Sequence, residues 1–216
     1  MAKQALIEHR PWLLAGVVAA VAFYVLRDNP IGELWLMMIK GSAVGFLAIY
    51  ALRRAHGFDG KLLALVMAIC AVADAAIQLS LFVGGAIFAA AHLLALVLYL
   101  RNRRESTVFS QRLLALGLLL GAPIISFLVS GRPDIAAYGL TLGLMAAAAW
   151  MSRFPRYRVG LGAVLFVVSD WLIFSELGSF DLGLLPELLI WPLYFAGQLM
   201  IATGITQTLR GETPVR

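Results

Sequence analysis

Eight long apolar stretches, separated by short breaks, follow one another along this chain of 216 residues. An apolar run of roughly 17–25 residues is long enough to cross the hydrocarbon core of a bilayer as one α-helix. The pattern therefore predicts an all-α, polytopic membrane protein with eight transmembrane helices, in which residues 1–216 form a single transmembrane domain. The predicted spans are residues 11–26, 31–52, 61–80, 83–100, 112–130, 135–151, 159–177 and 187–209.

The composition agrees with a membrane protein and excludes several other classes. Hydrophobic residues make up 62% of the chain and charged residues 13%, whereas soluble domains have about 45–50% and about 25%. A domain of this size exposes too much surface to bury so many apolar side chains in one core. A soluble domain, a disordered chain, a collagen-like fibre and a nucleic-acid-binding domain are thereby excluded. Cys70 is the only cysteine, so no intramolecular disulfide can form.

Basic residues are concentrated in alternate breaks, and this distribution predicts the orientation of the spans. Of the 17 Lys and Arg residues, 14 lie at the termini or in the breaks after spans two, four and six. Because cytoplasmic loops carry an excess of Lys and Arg, both termini are predicted to be cytoplasmic. The net charge of +5 is attributed to orientation and not to a polyanionic partner. The 14 residues are Lys3, Arg10, Arg53, Arg54, Lys61, Arg101, Arg103, Arg104, Arg112, Arg153, Arg156, Arg158, Arg210 and Arg216.

The first span also has features of a signal peptide. Lys3 and Arg10 precede its apolar run, and Ala19, Ala20 and Ala22 resemble a small-residue cleavage site. Cleavage would leave seven spans and disrupt the alternation of charge between the breaks. The prediction is therefore a retained first helix.

Polar residues within the spans point to a buried site. An ionisable side chain at the centre of a span costs about 2.5–3.5 kcal/mol on insertion scales, so it usually faces the bundle interior and has a partner. The predicted orientation places these groups at similar depths, in the outer half of the membrane. The ionisable residues are Lys40, Asp74, His92 and Asp170, and the neutral polar ones are Gln78, Ser169, Tyr194 and Gln198.

Asp74 and Asp170 are a candidate acid and base. One lysine can neutralise only one of two buried carboxylates, so the other carboxyl is expected to keep its proton, and two carboxyls with unlike proton affinities can divide these roles. Spacing adds that Gln78 lies four residues after Asp74, on the same helix face, as Gln198 does after Tyr194.

Structural interpretations of these residues remain open. Lys40 and one aspartate can form an ion pair that fixes helix packing, and His92 can be an interhelical hydrogen-bonding residue. Gln198 can likewise serve only helix association. A zinc site is not expected, because only one histidine lies at membrane depth. The sequence has no Gly-rich phosphate loop, nucleophile elbow or HExxH pattern.

Three of the spans carry motifs that resemble a known family. Span seven reads GAVLFVVSD over 162–170, and span eight reads YFAGQLMI over 194–201. Span four reads GAIF over 85–88, followed by HLL from residue 92. Together, in this order and spacing, they resemble the YhhN family of eight-span membrane proteins, whose animal members are lysoplasmalogenases.

The resemblance implies a hydrolase that cleaves the vinyl ether bond of a lysophospholipid of the lysoplasmalogen type and releases a fatty aldehyde. It implies no metal and no organic cofactor, and its partners are the lipid substrate and membrane lipids. The expected location is the bacterial inner membrane. Catalytic roles are expected for Asp74, Asp170, His92 and Lys40, and substrate-binding roles for Tyr194, Gln198, Gln78 and Ser169.

Two other functions remain open from the sequence. The first is a proton-coupled transporter of a lipid or other small molecule, because buried Asp, Lys and His also serve transport. Asp74 and Asp170 occupy the third span of each half of the chain, as a parallel repeat would require. The second is a lipid-binding membrane protein without turnover.

Overall fold

A computed structural model describes residues 10–178 and 180–210, and this part of the chain is built from eight α-helices and one short π-helical turn. Lys3, His9 and Arg216 lie outside the described residues. The π turn is Arg156–Gly160, between the sixth and seventh helices. The helices are α1 (Arg10–Leu26), α2 (Glu33–Arg54), α3 (Gly57–Ala76), α4 (Leu81–Arg101), α5 (Phe109–Ser130), α6 (Pro133–Met151), α7 (Leu161–Ser175) and α8 (Leu185–Leu209).

Each predicted span overlaps one helix, which confirms the all-helical polytopic class. Six helical segments are long and apolar enough to cross a membrane: α2, α4, α5, α6, α8, and the π turn continued by α7. The remaining two are α1, which is apolar but has only 17 residues, and α3, which carries Asp59, Lys61 and Asp74. Large apolar side chains such as Val18, Phe82 and Leu120 are exposed on the bundle surface. A bilayer is the solvent that suits such a surface.

The third helix differs from its prediction at both ends. It begins at Gly57, whose φ of 76° suits glycine, and ends at Ala76, so it lies four residues earlier than the expected 61–80. Ser80 caps α4 by accepting a hydrogen bond from the Val83 N–H at 3.3 Å. Gly84 then packs on the Ile77 backbone, where an added Cβ would come within 2.7 Å. A turn of four residues, 77–80, therefore separates α3 from α4 and contains no charged residue.

Helix α8 lies inside the bundle and sets the position of the functional residues. It packs along α7 and also contacts α2 and α3. Gly162 of α7 and Gly197 of α8 face each other so closely that a Cβ on either would lie within 2.7 Å of the other's carbonyl oxygen. Small residues of this kind let two membrane helices approach.

The first half of α8 is held by α1 around a proline. Pro192 has no N–H, so it leaves the carbonyl of Leu188 without its usual helical donor. The Tyr24 hydroxyl of α1 donates to that carbonyl at 3.1 Å. One residue before the proline, the Trp191 indole N–H donates to the Ala20 carbonyl at 2.9 Å. These two bonds fix the segment of α8 that faces the interior.

The two ends of the bundle differ in character. At one, called here the cavity end, α3 and α7 end and α4 and α6 begin. At the other, called the basic end, α3 and α7 begin and α4 and α6 end, and most of the basic residues lie there. Asn102 links α3 to the segment after α6 at the basic end. Its side-chain amide donates a hydrogen bond to Asp59, and its side-chain oxygen accepts one from Arg153.

Candidate active site

A large cavity opens at the cavity end and has a volume of about 610 Å³. Its wall is formed mainly by α3, α4, α6, α7 and α8, and most of the lining side chains are apolar. Three of the four predicted catalytic residues line it. The polar lining residues are Lys40, Asp74, Ser80, Arg132, Asp134, Tyr138, Thr141, Ser169, Asp170 and Tyr194.

Asp74 is positioned by α8. Its side chain is buried, and its Oδ2 accepts a hydrogen bond from the Tyr194 hydroxyl at 2.7 Å. The Gln198 amide, one helical turn further along α8, donates to the same tyrosine oxygen at 3.3 Å. The predicted pairing of Tyr194 with Gln198 on one face of α8 is therefore confirmed, and this face serves Asp74.

Asp170 is positioned by α6 in the same way. It is buried, and its Oδ2 accepts a hydrogen bond from the Tyr138 hydroxyl at 2.8 Å. Tyr138 is not among the predicted site residues, because an uncharged tyrosine in an apolar helix carries little insertion cost. The available signal was Thr141, three residues later on the same helix face. Within residues 10–178 and 180–210, each aspartate thus has one tyrosine donor on Oδ2, and Oδ1 remains for chemistry.

Lys40 lines the same cavity but forms no ion pair within 4.0 Å among the described residues. Its ammonium lies over the Phe23 and Trp191 rings, at 5.3 and 5.7 Å from the two centroids. Two aromatic faces attract a cation in a site with little water. The lysine is therefore held beside Asp74 and remains available to a ligand.

Ser169 reaches the cavity wall, but its proton is already committed. The Ser169 hydroxyl donates to the Ile190 carbonyl at 2.8 Å and so ties α7 to α8. A substrate group can only donate to this oxygen, because a hydroxyl has one proton.

His92 and Gln198 lie one layer deeper and do not line the large cavity. Both line a second cavity of about 20 Å³. The aromatic rings of Phe88, Phe166 and Tyr194 pack edge to face between the two cavities, with centroids 5.0–5.8 Å apart. The expectation that all the polar groups form one pocket is therefore wrong for these two residues.

Gln78 lies outside the candidate site. Because α3 ends at Ala76, Gln78 is not on the helix face of Asp74, and its side chain is exposed in the turn before α4. It does not line either cavity. The geometric basis for its predicted substrate-binding role was a third span predicted four residues too late in the chain.

The mouth of the large cavity carries an ion pair. Arg132 donates from Nε and Nη2 to the two carboxylate oxygens of Asp134 at 3.1 and 2.7 Å. These hydrogen bonds, reinforced by the carboxylate charge, raise the pKa of Arg132 above its usual value. Both side chains are about half exposed. A guanidinium has five N–H donors, so three of those of Arg132 remain for a ligand.

Comparison with known proteins assigns most of the chain to one family model. The model of the YhhN family matches residues 35–205, a range that contains every candidate site residue. No curated protein and no solved structure matches the chain.

Proposed function

The chain belongs to the YhhN family, and we propose that it is an integral-membrane hydrolase that cleaves the vinyl ether bond of a lysoplasmalogen. The observation that carries this proposal is the pair of buried carboxyls in one largely apolar cavity, each with a single tyrosine donor. Such a cavity suits a substrate that has a long hydrocarbon chain and a bond cleaved by acid and base.

The reaction begins with protonation of the β-carbon of the vinyl ether, which creates an oxocarbenium ion. Water then adds to the α-carbon and loses a proton to a carboxylate, giving a hemiacetal. Collapse of the hemiacetal returns a proton to the glycerol oxygen and releases the aldehyde. General acid and general base catalysis each contribute about 10²–10⁴-fold. A nearby carboxylate also stabilises the passing cation.

The surroundings of the two aspartates suggest a division of roles. The positive charge of Lys40 lies near Asp74 and favours a negative charge on it. In the proposed mechanism Asp170 is accordingly the acid and Asp74 the base. Tyr138 and Tyr194 hold the two carboxyls in place, and Lys40 is a positioning residue.

The cavity walls provide a route for a lipid from the bilayer. Phe82 and Ala86 of α4 and Ala137 of α6 are exposed on the bundle surface and also line the cavity. In the proposal a single hydrocarbon chain enters sideways between α4 and α6, with Phe82 at the edge of the opening.

The position of the mouth suits the length of a lysophospholipid. Asp134 lies one turn before Tyr138, whose hydroxyl binds Asp170, and the rise along the helix axis between these two residues is about 6 Å. About five covalent bonds join the phosphorus of a lysophospholipid to its ether oxygen, roughly 6 Å when extended. We infer that Arg132 binds the phosphate while the ether bond lies at the aspartates.

The test is release of fatty aldehyde from a lysoplasmalogen by the purified protein in detergent. The wild type is expected to release aldehyde, and Asp170→Asn and Asp74→Asn to lose this activity while remaining folded. Asp59→Asn, at the basic end, is the matched control and should retain it. Wild-type turnover in either cavity variant would overturn the proposal. A folded wild type that releases no aldehyde would favour another lipid bond, transport or binding without turnover.

A further inference from the structure

The smaller cavity lies behind the aromatic layer and is lined by polar groups that the proposed reaction does not use. Its volume is about 20 Å³, and a cavity needs about 10–15 Å³ to hold one water molecule. Most of its wall is apolar, from α3, α4, α6, α7 and α8. The lining residues with polar atoms are Cys70, His92, Tyr99 and Gln198.

His92 has one hydrogen-bonding atom without a partner. The residue is 1% exposed, and its Nδ1 lies 3.4 Å from the Thr141 hydroxyl oxygen. Its Nε2 is buried and has no hydrogen-bond partner among the described residues. Thr141 lines the large cavity and not the small one. The opposite edge of the imidazole, which carries Nε2, therefore faces the small cavity.

The bonds of Thr141 decide which nitrogen of His92 carries the proton. The single hydroxyl proton of Thr141 is donated to the Tyr138 carbonyl at 2.8 Å. The threonine oxygen can then only accept from His92, which requires the proton on Nδ1. A neutral imidazole with Nδ1–H has a lone pair on Nε2. The unpartnered atom is thus an acceptor that needs a donor from within the small cavity.

Gln198 has a hydrogen-bonding group to spare in this cavity. Its amide nitrogen donates one proton to the Tyr194 hydroxyl at 3.3 Å. An amide has two N–H donors, so one remains. A buried water molecule needs two to four polar partners, and His92 and Gln198 supply an acceptor and a donor.

We propose that the small cavity is a binding site for one water molecule, which donates to His92 Nε2 and accepts from Gln198. The water completes a buried polar chain behind the large cavity. This chain runs from Asp74 through Tyr194, Gln198, the water and His92 to Thr141, and ends at the Tyr138 carbonyl. A backbone carbonyl does not pass a proton onward, so the chain positions Tyr194 and Tyr138 and is not a proton wire between the two aspartates.

The experiment uses the three histidines of the chain. With His9 and His56 replaced by Gln, protein labelled with ¹⁵N-histidine reports on His92 alone. The expected spectrum is that of a neutral Nδ1–H tautomer whose Nε2 resonance is shifted by a hydrogen bond. Early magnetisation transfer from water to this ring is also expected. A spectrum of the Nε2–H tautomer would overturn the proposal. So would an Nε2 resonance at the chemical shift of a nitrogen whose lone pair accepts no hydrogen bond.

A cavity-filling variant separates water from a protein donor. Ala95 lines the small cavity, and Ala95→Val should displace the water, moving Nε2 to its unbonded position while the Nδ1–H tautomer is kept. Ala149→Val adds the same two methylene units at another buried alanine and should leave the resonance unchanged. An Nε2 resonance that stays at its wild-type position in folded Ala95→Val would assign the bond to a protein group and refute the water site. The wild-type spectrum decides the tautomer and the hydrogen bond even if Ala95→Val does not fold. None of these readouts depends on the lipid reaction.

Discussion

The aspartates at the two ends of the bundle, which are buried or half-buried, have different hydrogen-bond partners. At the basic end, Asp59 accepts from Arg101 Nε at 3.0 Å and from the Asn102 amide at 2.8 Å. At the cavity end, Asp74 and Asp170 each accept one bond from a neutral tyrosine. A carboxylate with a cationic partner is stabilised as an ion and holds structure together. A carboxylate in an apolar cavity whose hydrogen-bond donor is a neutral hydroxyl can still exchange a proton.

The largest expected effect comes from removing the acid at the cavity end. Asp170→Asn keeps an oxygen that can accept from Tyr138 but cannot deliver a proton, so turnover should fall by about 10²–10⁴-fold. Thermal unfolding should be unchanged or shifted upward, because a buried ionisable group is replaced by a neutral one of the same shape. Aldehyde release and unfolding temperature are measured on the same preparation. A fall in activity that follows a fall in unfolding temperature would assign a structural role to Asp170.

A smaller effect is expected from removing the single tyrosine donor. Tyr138→Phe leaves Asp170 without its hydrogen bond, a loss of about 1–3 kcal/mol for a buried polar group. We expect activity to fall about tenfold, since one pKa unit or 1.4 kcal/mol corresponds to that factor. Tyr24→Phe, which also removes a hydroxyl hydrogen bond but at the surface, is the control. Equal losses of activity in the two variants would contradict a specific role for Tyr138.

The aspartate at the basic end should affect stability and not activity. Burial alone would raise the pKa of Asp59, but the hydrogen bonds from Asn102 and Arg101 and the charges of Arg101 and Arg153 outweigh it and lower the pKa. Such a group stabilises the fold above its unfolded pKa, and the contribution is lost as the pH falls through the folded value. Asp59→Asn should therefore cost about 1 kcal/mol at pH 7.

The pH dependence tests this assignment. The difference in unfolding temperature between wild type and Asp59→Asn should shrink as the pH falls below the unfolded pKa of about 4, and it should vanish below the folded pKa, which is lower still. Aldehyde release at pH 7 should be the same in both. If the difference in unfolding temperature persists unchanged at low pH, the altered hydrogen bonding of the side chain, and not the loss of its charge, matters at this position.

The helices and the charged residues of the site were predictable from the sequence. Both follow from the free energy of placing a side chain in the membrane. Apolar runs of sufficient length located all eight helices, and expensive groups such as Lys40, Asp74 and Asp170 had to share an interior. The end of α3 was not predictable in the same way, because Ile77, Leu79 and Leu81 continue the apolar pattern across the turn. Its position depends on the Ser80 cap and on Gly84 packing against Ile77.

The arrangement of the neutral residues required the structure. Tyr138 carries no charge and costs little in a span, so nothing in the composition of α6 distinguishes it from a packing residue. His92 and Gln198 were placed near the right depth, but their separation from the large cavity depends on how Phe88 and Phe166 are rotated toward Tyr194. Rotation of a helix about its axis is fixed by packing, and the nearly uniform apolarity of α4 does not reveal it.

The smallest expected effect concerns the ion pair at the mouth. Its two side chains are about half exposed, as surface residues are, whereas the aspartates inside the cavity are buried. Arg132→Gln should raise KM for a lysoplasmalogen about threefold and leave kcat unchanged, since contacts of exposed charges are worth about 0.2–1 kcal/mol. The change should diminish at high salt, which screens such contacts. Arg27→Gln is the matched control, because Arg27 also pairs with acidic residues at the cavity end but does not line the cavity. A loss of kcat in Arg132→Gln would indicate that this arginine acts in the chemical step together with the aspartates. An equal rise of KM in both variants would indicate a general effect of surface charge on lipid delivery.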